Sequence, residues 1–204
     1  MEENTMKAIR EDGQVVELSE AGTWRFSEDR NTGGGEDGFR GVKWGTSPEV
    51  AKRREDSPPS EELETILYWT GGRLGGLSCE IVYIYANASL VRAKYIINEE
   101  WVNENRFIME YNAMSELLSK KYGRPESENE FWNNELWKDE YDDWGKAVQQ
   151  GHLSMYATWY SGETRIMLSL FGENYESSLQ IEYASIRLEK IESRLKEAEL
   201  LDIL

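Results

Sequence analysis

The residues best equipped for chemistry lie between Glu126 and Gly151, in ESENEFWNNELWKDEYDDWGKAVQQG. Trp132, Trp137 and Trp144 alternate there with carboxylates and amides, and Trp159 follows shortly after. Indole rings stack on sugars or anchor protein partners, and Trp leads among residues that dominate interface energetics. These four tryptophans are the candidate partner-binding residues. The alternative is that they cap the edge of a sheet as part of the core. Asp139, Glu140, Asp142 and Asp143 offer hard oxygen ligands. Their spacing is not that of an EF-hand loop, and the glycine such a loop needs is missing, so they read as a solvated acidic loop.

Other candidates are weaker. His152 is the sole histidine. A zinc site would need Cys79 or carboxylates at ligand spacing, and none is spaced so. A Ser-His-Asp triad would lack the GxSxG elbow. Cys79 is the sole cysteine, which excludes an internal disulfide, and its apolar strand setting reads as a buried thiol. The run GGRLGG at 71–76 lacks the Lys-Ser or Lys-Thr ending of a phosphate loop and leads into a strand, so it reads as a strand connection. No catalytic, cofactor-binding or metal-ligating residue is assigned, and no cofactor is expected. A carboxylate pair acting on a glycan is the enzymatic alternative, but 39 Asp and Glu make such pairs common by abundance alone.

Composition narrows the partners. The net charge is −16, which repels phosphate backbones and anionic membrane surfaces. Nucleic acid is therefore not an expected partner. The charge serves solubility or meets a basic partner. With 39% hydrophobic residues, 8 Trp and 11 Tyr, the chain can bury a core. No run of 18 apolar residues exists, so no membrane insertion is expected. The start, MEENTMKAIRED, has no apolar leader segment. As it stands the chain reads as cytoplasmic, or as periplasmic or envelope-associated if a leader precedes Met1.

These residues must be positioned by a folded frame, and its elements are legible in order. Residues 14–27 read as a hairpin and 27–38 as a flexible, glycine-rich linker. A short strand at 39–45 leads to a helix at 48–55, with Ser47 as N-cap and Pro48 at its first position. Strands at 63–69, 79–85 and 91–97 form a meander, with 71–76 as a turn. A helix at 99–122 carries Phe107, Met109, Tyr111, Met114, Leu117, Leu118 and Tyr122 on an apolar face, and ends at Gly123 and Pro125. Strands at 152–159, 165–171 and 178–184 form a second meander. A helix at 186–204 closes the chain, with a stripe of Leu188, Ile191, Leu195 and Ala198.

The two meanders match in detail. Each has a strand ending in Trp before a turn with Gly (Trp69 and Trp159), then an apolar strand, an Asn-containing turn and a strand opening on Ser-Leu. The expected fold is α+β: a tandem α-β3 repeat (39–98 and 99–185) forming a mostly antiparallel sheet with helices on one face. The N-terminal hairpin and linker (1–38) precede this single domain of 39–204. The stripe at 186–204 either docks on the sheet or pairs two copies as a homodimer.

This layout resembles the β-lactamase-inhibitor-protein-like architecture, which includes small bacterial outer-membrane assembly lipoproteins. Trp44-Gly45-Thr46-Ser47-Pro48-Glu49-Val50 is similar to that group's Trp-Gly-Met-Ser helix start followed by Glu-Val, with Thr46 in place of Met. Tyr122-Gly123-Arg124-Pro125 resembles the end of its second helix. Residues 12–18 with Gly22-Thr23-Trp24 resemble a hairpin of uncharacterised bacterial envelope proteins. The resemblance implies an uncharacterised bacterial protein, commonly envelope-associated, and carries no catalytic residue over. The functional expectation is a non-enzymatic binding module for a protein or peptide, using the Trp-rich loop and an open sheet face.

Overall fold

A computed structural model describes residues 6–9, 15–18, 24–26, 37–189 and 193. The chain divides into two compact units, 1–34 and 35–204. The first is a three-stranded antiparallel sheet of β1 (Met6–Ile9), β2 (Val15–Leu18) and β3 (Trp24–Phe26). The expected hairpin at 14–27 corresponds to β2 and β3, with Val16 opposite Phe26. β1 is an added strand, too short for its pattern to show in MKAI. Residues 27–36 of the expected linker lie outside the described residues. So does most of the expected last helix, whose residues 186–189 and 193 are helical.

The second unit begins with a separate two-stranded hairpin, β4 (Gly38–Phe39) and β5 (Val42–Lys43). Helix α1 (Pro48–Arg54) follows, then β6 (Glu61–Glu62), β7 (Ile66–Leu74), β8 (Leu77–Ala86) and β9 (Ser89–Ile97). Helix α2 (Asn105–Tyr122) leads to β10 (Ser127–Trp132) and α3 (Trp144–Gln149). Strands β11 (Leu153–Ser161), β12 (Thr164–Glu173) and β13 (Glu176–Ser185) complete the sheet. The sheet has 8 strands in the order β10-β11-β12-β13-β9-β8-β7-β6, and every pairing is antiparallel. The α+β class with an antiparallel sheet is as the sequence predicts. The two meanders meet at their last strands, with Ile181 opposite Tyr95.

Strand alternation decides what each face does. On β8, Cys79, Ile81, Tyr83 and Tyr85 point into one core cluster with Ala51 of α1, with Ile108, Tyr111, Met114 and Leu118 of α2, and with Ala147 and Val148 of α3. Their neighbours Val82 on β8 and Ala184 on β13 are also buried, but they lie outside that cluster. All three named helices therefore pack on one face. The opposite face carries paired charges: Arg92 and Arg165 flank Glu182 at 3.4 and 3.6 Å, and Arg165 also meets Glu189 at 2.5 Å.

Three local expectations change. The run 71–76 is not one turn, since β7 continues through it to Leu74 across a bulge between Trp69 and Gly72. A Cβ on Gly72 would come within 2.8 Å of Ile81, so only glycine lets the strands close there. Helix α2 starts at Asn105 instead of 99, because the Asn103 side chain accepts from the Asn105 amide and sets the first turn. Ser47 holds the N-cap position of α1 without a capping side-chain bond, while Pro48 occupies the first turn.

The matching tryptophans of the two meanders are both core residues within strands. Trp69 stands opposite Ile81 and donates its indole N–H to Ser57 O at 2.8 Å. Trp159 stands opposite Ile166 and donates to Gly123 O at 3.1 Å. Each indole thus ties the sheet to the chain just leaving a helix. A buried indole needs such an acceptor.

Candidate binding groove

The four tryptophans expected to form a contact surface do not make one platform. Trp159 is 1% exposed, because it sits on the helix side of β11 opposite Ile166. That removes it from any surface role. Trp132, Trp137 and Trp144 are half-buried and pack against the core cluster. Trp132 meets Trp144 edge to face at 5.3 Å, and Tyr141 leans on Trp144 at 5.0 Å. Trp137 instead stacks on His152 at 5.1 Å. The Trp144 indole N–H is taken by Lys138 O at 3.1 Å. The structure therefore brings Trp132 and Trp144 together, stacks Trp137 on His152, and packs all three against the core cluster.

A more open site lies on the helix side, over the seam between the meanders. A cavity of about 330 Å³ has Tyr95 of β9 and Ile181 and Tyr183 of β13 as its floor. Ala113, Met114, Leu117, Leu118 and Lys121 of α2 form its wall, at the three- and four-residue spacing of one helix side. Leu74 and Leu77, at the tip of β7 and β8, close the far end. Leu117 is 60% exposed and Met109 is 54% exposed. The apolar stripe of α2 is thus wider than the strip the core needs, and Leu117 faces the cavity.

A second cavity of about 280 Å³ continues the groove. It shares Tyr95, Lys121 and Tyr183 with the first and adds Gly38, Phe39, Arg40 and Gly41 of the β4–β5 hairpin. That hairpin turns on two residues with left-handed backbone, Arg40 at φ 52° and Gly41 at φ 82°. Such a turn suits the twist of paired strands, but an arginine in it is unfavourable. Strain of this kind persists where surrounding contacts hold it.

The contacts that hold it are polar. Arg40 Nε and Nη2 donate to Glu55 at 2.7 and 2.8 Å, a two-pronged ion pair. Arg40 Nη1 donates to Tyr95 Oη at 3.4 Å, and Tyr83 Oη donates to Glu55 at 2.5 Å. Burial opposes ionisation of Glu55, but Arg40 and Tyr83 outweigh it and hold the carboxyl below its ordinary value. Glu55 in turn raises the Arg40 guanidinium further above its usual range. Burial pushes the phenols of Tyr83, Tyr95 and Tyr183 up, so all three stay neutral donors.

The carboxylates near the groove are held by cations. Glu55 belongs to Arg40, and Glu110 is bound by Arg106 at 2.6 Å. Among the described residues no group of three or more His, Cys, Asp or Glu is placed to hold a metal ion. No described helix is long and apolar enough to cross a membrane. Sequence reading missed the groove because its polar end joins residues far apart in the chain. Its one sequence signal was the excess width of the α2 stripe. No family model matches this chain, and no curated protein or solved structure matches it either.

Proposed function

We propose that the chain is a non-enzymatic binding module that takes a segment of a protein or peptide into the groove beside α2. The observation that carries this reading is the open apolar trough beneath Leu117, a residue 60% exposed on a helix that buries Ile108, Tyr111, Met114 and Leu118 in the core. Concave apolar sites with a few converging polar groups are where ligands are bound, and exposed apolar side chains grouped together mark contact surfaces. The tyrosines of the floor add a second support. They present rigid apolar bodies with hydroxyl tips, which anchor peptide side chains at little entropic cost.

The test uses a pool of fluorescein-labelled random octapeptides titrated with the protein and followed by anisotropy. A saturable rise is expected for the wild type. Leu117→Glu places a charge in the trough without touching the buried core, and it is expected to weaken binding at least tenfold. A rise of the same size and midpoint in both proteins would place binding elsewhere.

A further inference from the structure

The groove has two unlike ends, and the second end selects for charge. The cavity beside the β4–β5 turn is lined by Gly38, Phe39, Arg40, Gly41, Tyr95, Lys121 and Tyr183, with no carboxylate among them. Glu55 balances the Arg40 charge from behind the cavity, and Lys121 brings a second cation to its rim, in a chain of net charge −16. Hydrogen-bonding capacity there is also one-sided. Arg40 engages Glu55 through Nε and Nη2 and Tyr95 through Nη1, which leaves further guanidinium N–H donors unused. Tyr95 is 9% exposed, and its oxygen already accepts from Arg40. No described group accepts its own proton, so its O–H is a nearly buried donor lacking an acceptor. Lys121 adds an ammonium on the rim. Among the lining side chains donors outnumber acceptors, and the group that completes such a set is an anion with several lone pairs.

We infer that this end binds the C-terminal carboxylate of the peptide, with the last side chain, an aliphatic one, in the trough under Leu117. The inference rests on the peptide-binding reading above. The two cavities share Tyr95, Lys121 and Tyr183, so the anion site and the apolar site adjoin. A C-terminal residue joins its carboxylate and its side chain at one Cα, which suits two adjoining pockets. The Arg40–Glu55 pair fixes the guanidinium beforehand, so little ordering remains for binding to supply. Carboxylate capture by preset N–H and O–H donors is a recurring mode of peptide recognition.

The probe is fluorescein-Gly-Ser-Gly-Ser-Ile-Leu with a free carboxylate, compared with its C-terminal amide by anisotropy. The free acid is expected to bind at least tenfold tighter, since hydrogen bonds to a charged group are the strong ones. Lys121→Glu and Tyr95→Phe are each expected to reduce that ratio severalfold, with the circular dichroism spectrum and thermal midpoint checked for both. Lys121 is exposed, so its variant spares the core. Equal binding of acid and amide, with loss only in Leu117→Glu, would overturn the carboxylate and leave the groove reading standing. No binding of either peptide at millimolar protein would overturn both. Decanoate competing as well as the peptide acid, with no contribution from the other residues, would make the ligand a fatty acid and overturn the peptide assignment.

Discussion

The two halves of the sheet share a corner and differ in what covers them. Each half runs helix, edge strand, three-stranded meander: α1 with β6 to β9, and α2 with β10 to β13. Each places an indole opposite an isoleucine and ties it to a carbonyl just past the helix. The helices themselves are unequal. α1 has 7 residues and α2 has 18, or about 10 and about 27 Å at the α-helical rise. The connections before the meanders differ too, 63–65 in the first half against 133–152 in the second, where α3 sits. The long helix and α3 cover the second half with apolar side chains. Beyond the short helix the chain sets the Arg40–Glu55 pair against Tyr83 and Tyr95, and the groove opens over the seam between the halves. A difference in helix length has thus become a difference in chemistry.

The comparison can be broken most directly at the corners. Trp159→Ala and Trp69→Ala are each expected to cost about 3–5 kcal/mol in urea unfolding, as removal of a buried indole does. A Trp69→Ala cost below about 1 kcal/mol would show that the corners are not equivalent. Glu55→Gln addresses what only the first half has. Its expected cost is about 2–3 kcal/mol, from an arginine and a phenol left half-partnered. Glu55 ionises in the folded chain below its ordinary value of 4.5. The stability it contributes is therefore present above that pH and is lost as the pH falls through the folded value. The variant should show a flatter acid limb in stability against pH. An unchanged limb would assign acid sensitivity to other carboxylates.

Smaller effects sharpen the picture. Trp69→Phe and Trp159→Phe keep a ring but leave Ser57 O and Gly123 O without their donor, and should cost about 1–2 kcal/mol each beyond the volume change. Similar values at both would measure the shared bond itself. Leu117→Glu should change stability by less than about 0.5 kcal/mol, because its side chain is mostly in solvent. A thermal midpoint more than a few degrees lower would mean that Leu117 belongs to the packing and not to an open groove.

How much of this was legible follows from how local each signal is. Strand alternation, the Asn-containing turns and the Gly123 stop of α2 lie within a few residues each, and the sheet and its helices follow from them. β10 was not legible, since SENEFW is exposed along nearly its whole length and needs no apolar alternation. The β4–β5 hairpin read as one strand because its turn starts with arginine, where asparagine is usual. The tryptophans of 126–151 could not be assigned to surface or core from sequence, because aromatic residues serve both. The groove was the least legible of all. Arg40 meets Glu55 across 15 residues and Tyr95 across 55, and no short pattern encodes such a meeting.

The seam between β9 and β13 also sets a timetable. Each meander pairs strands that are sequence neighbours, so each can form by closing short loops. The seam joins Gln180 to Ile96 and Ala184 to Arg92, across most of the second half of the chain. Long-range pairings of this kind are slow, because the entropy of loop closure comes before any contact rewards it. The groove spans that seam, with Tyr95 on one side and Tyr183 on the other. It is therefore expected to be completed in the last step of folding, and a ligand that fits it would act as a clasp, slowing the parting of the two halves more than it speeds their meeting.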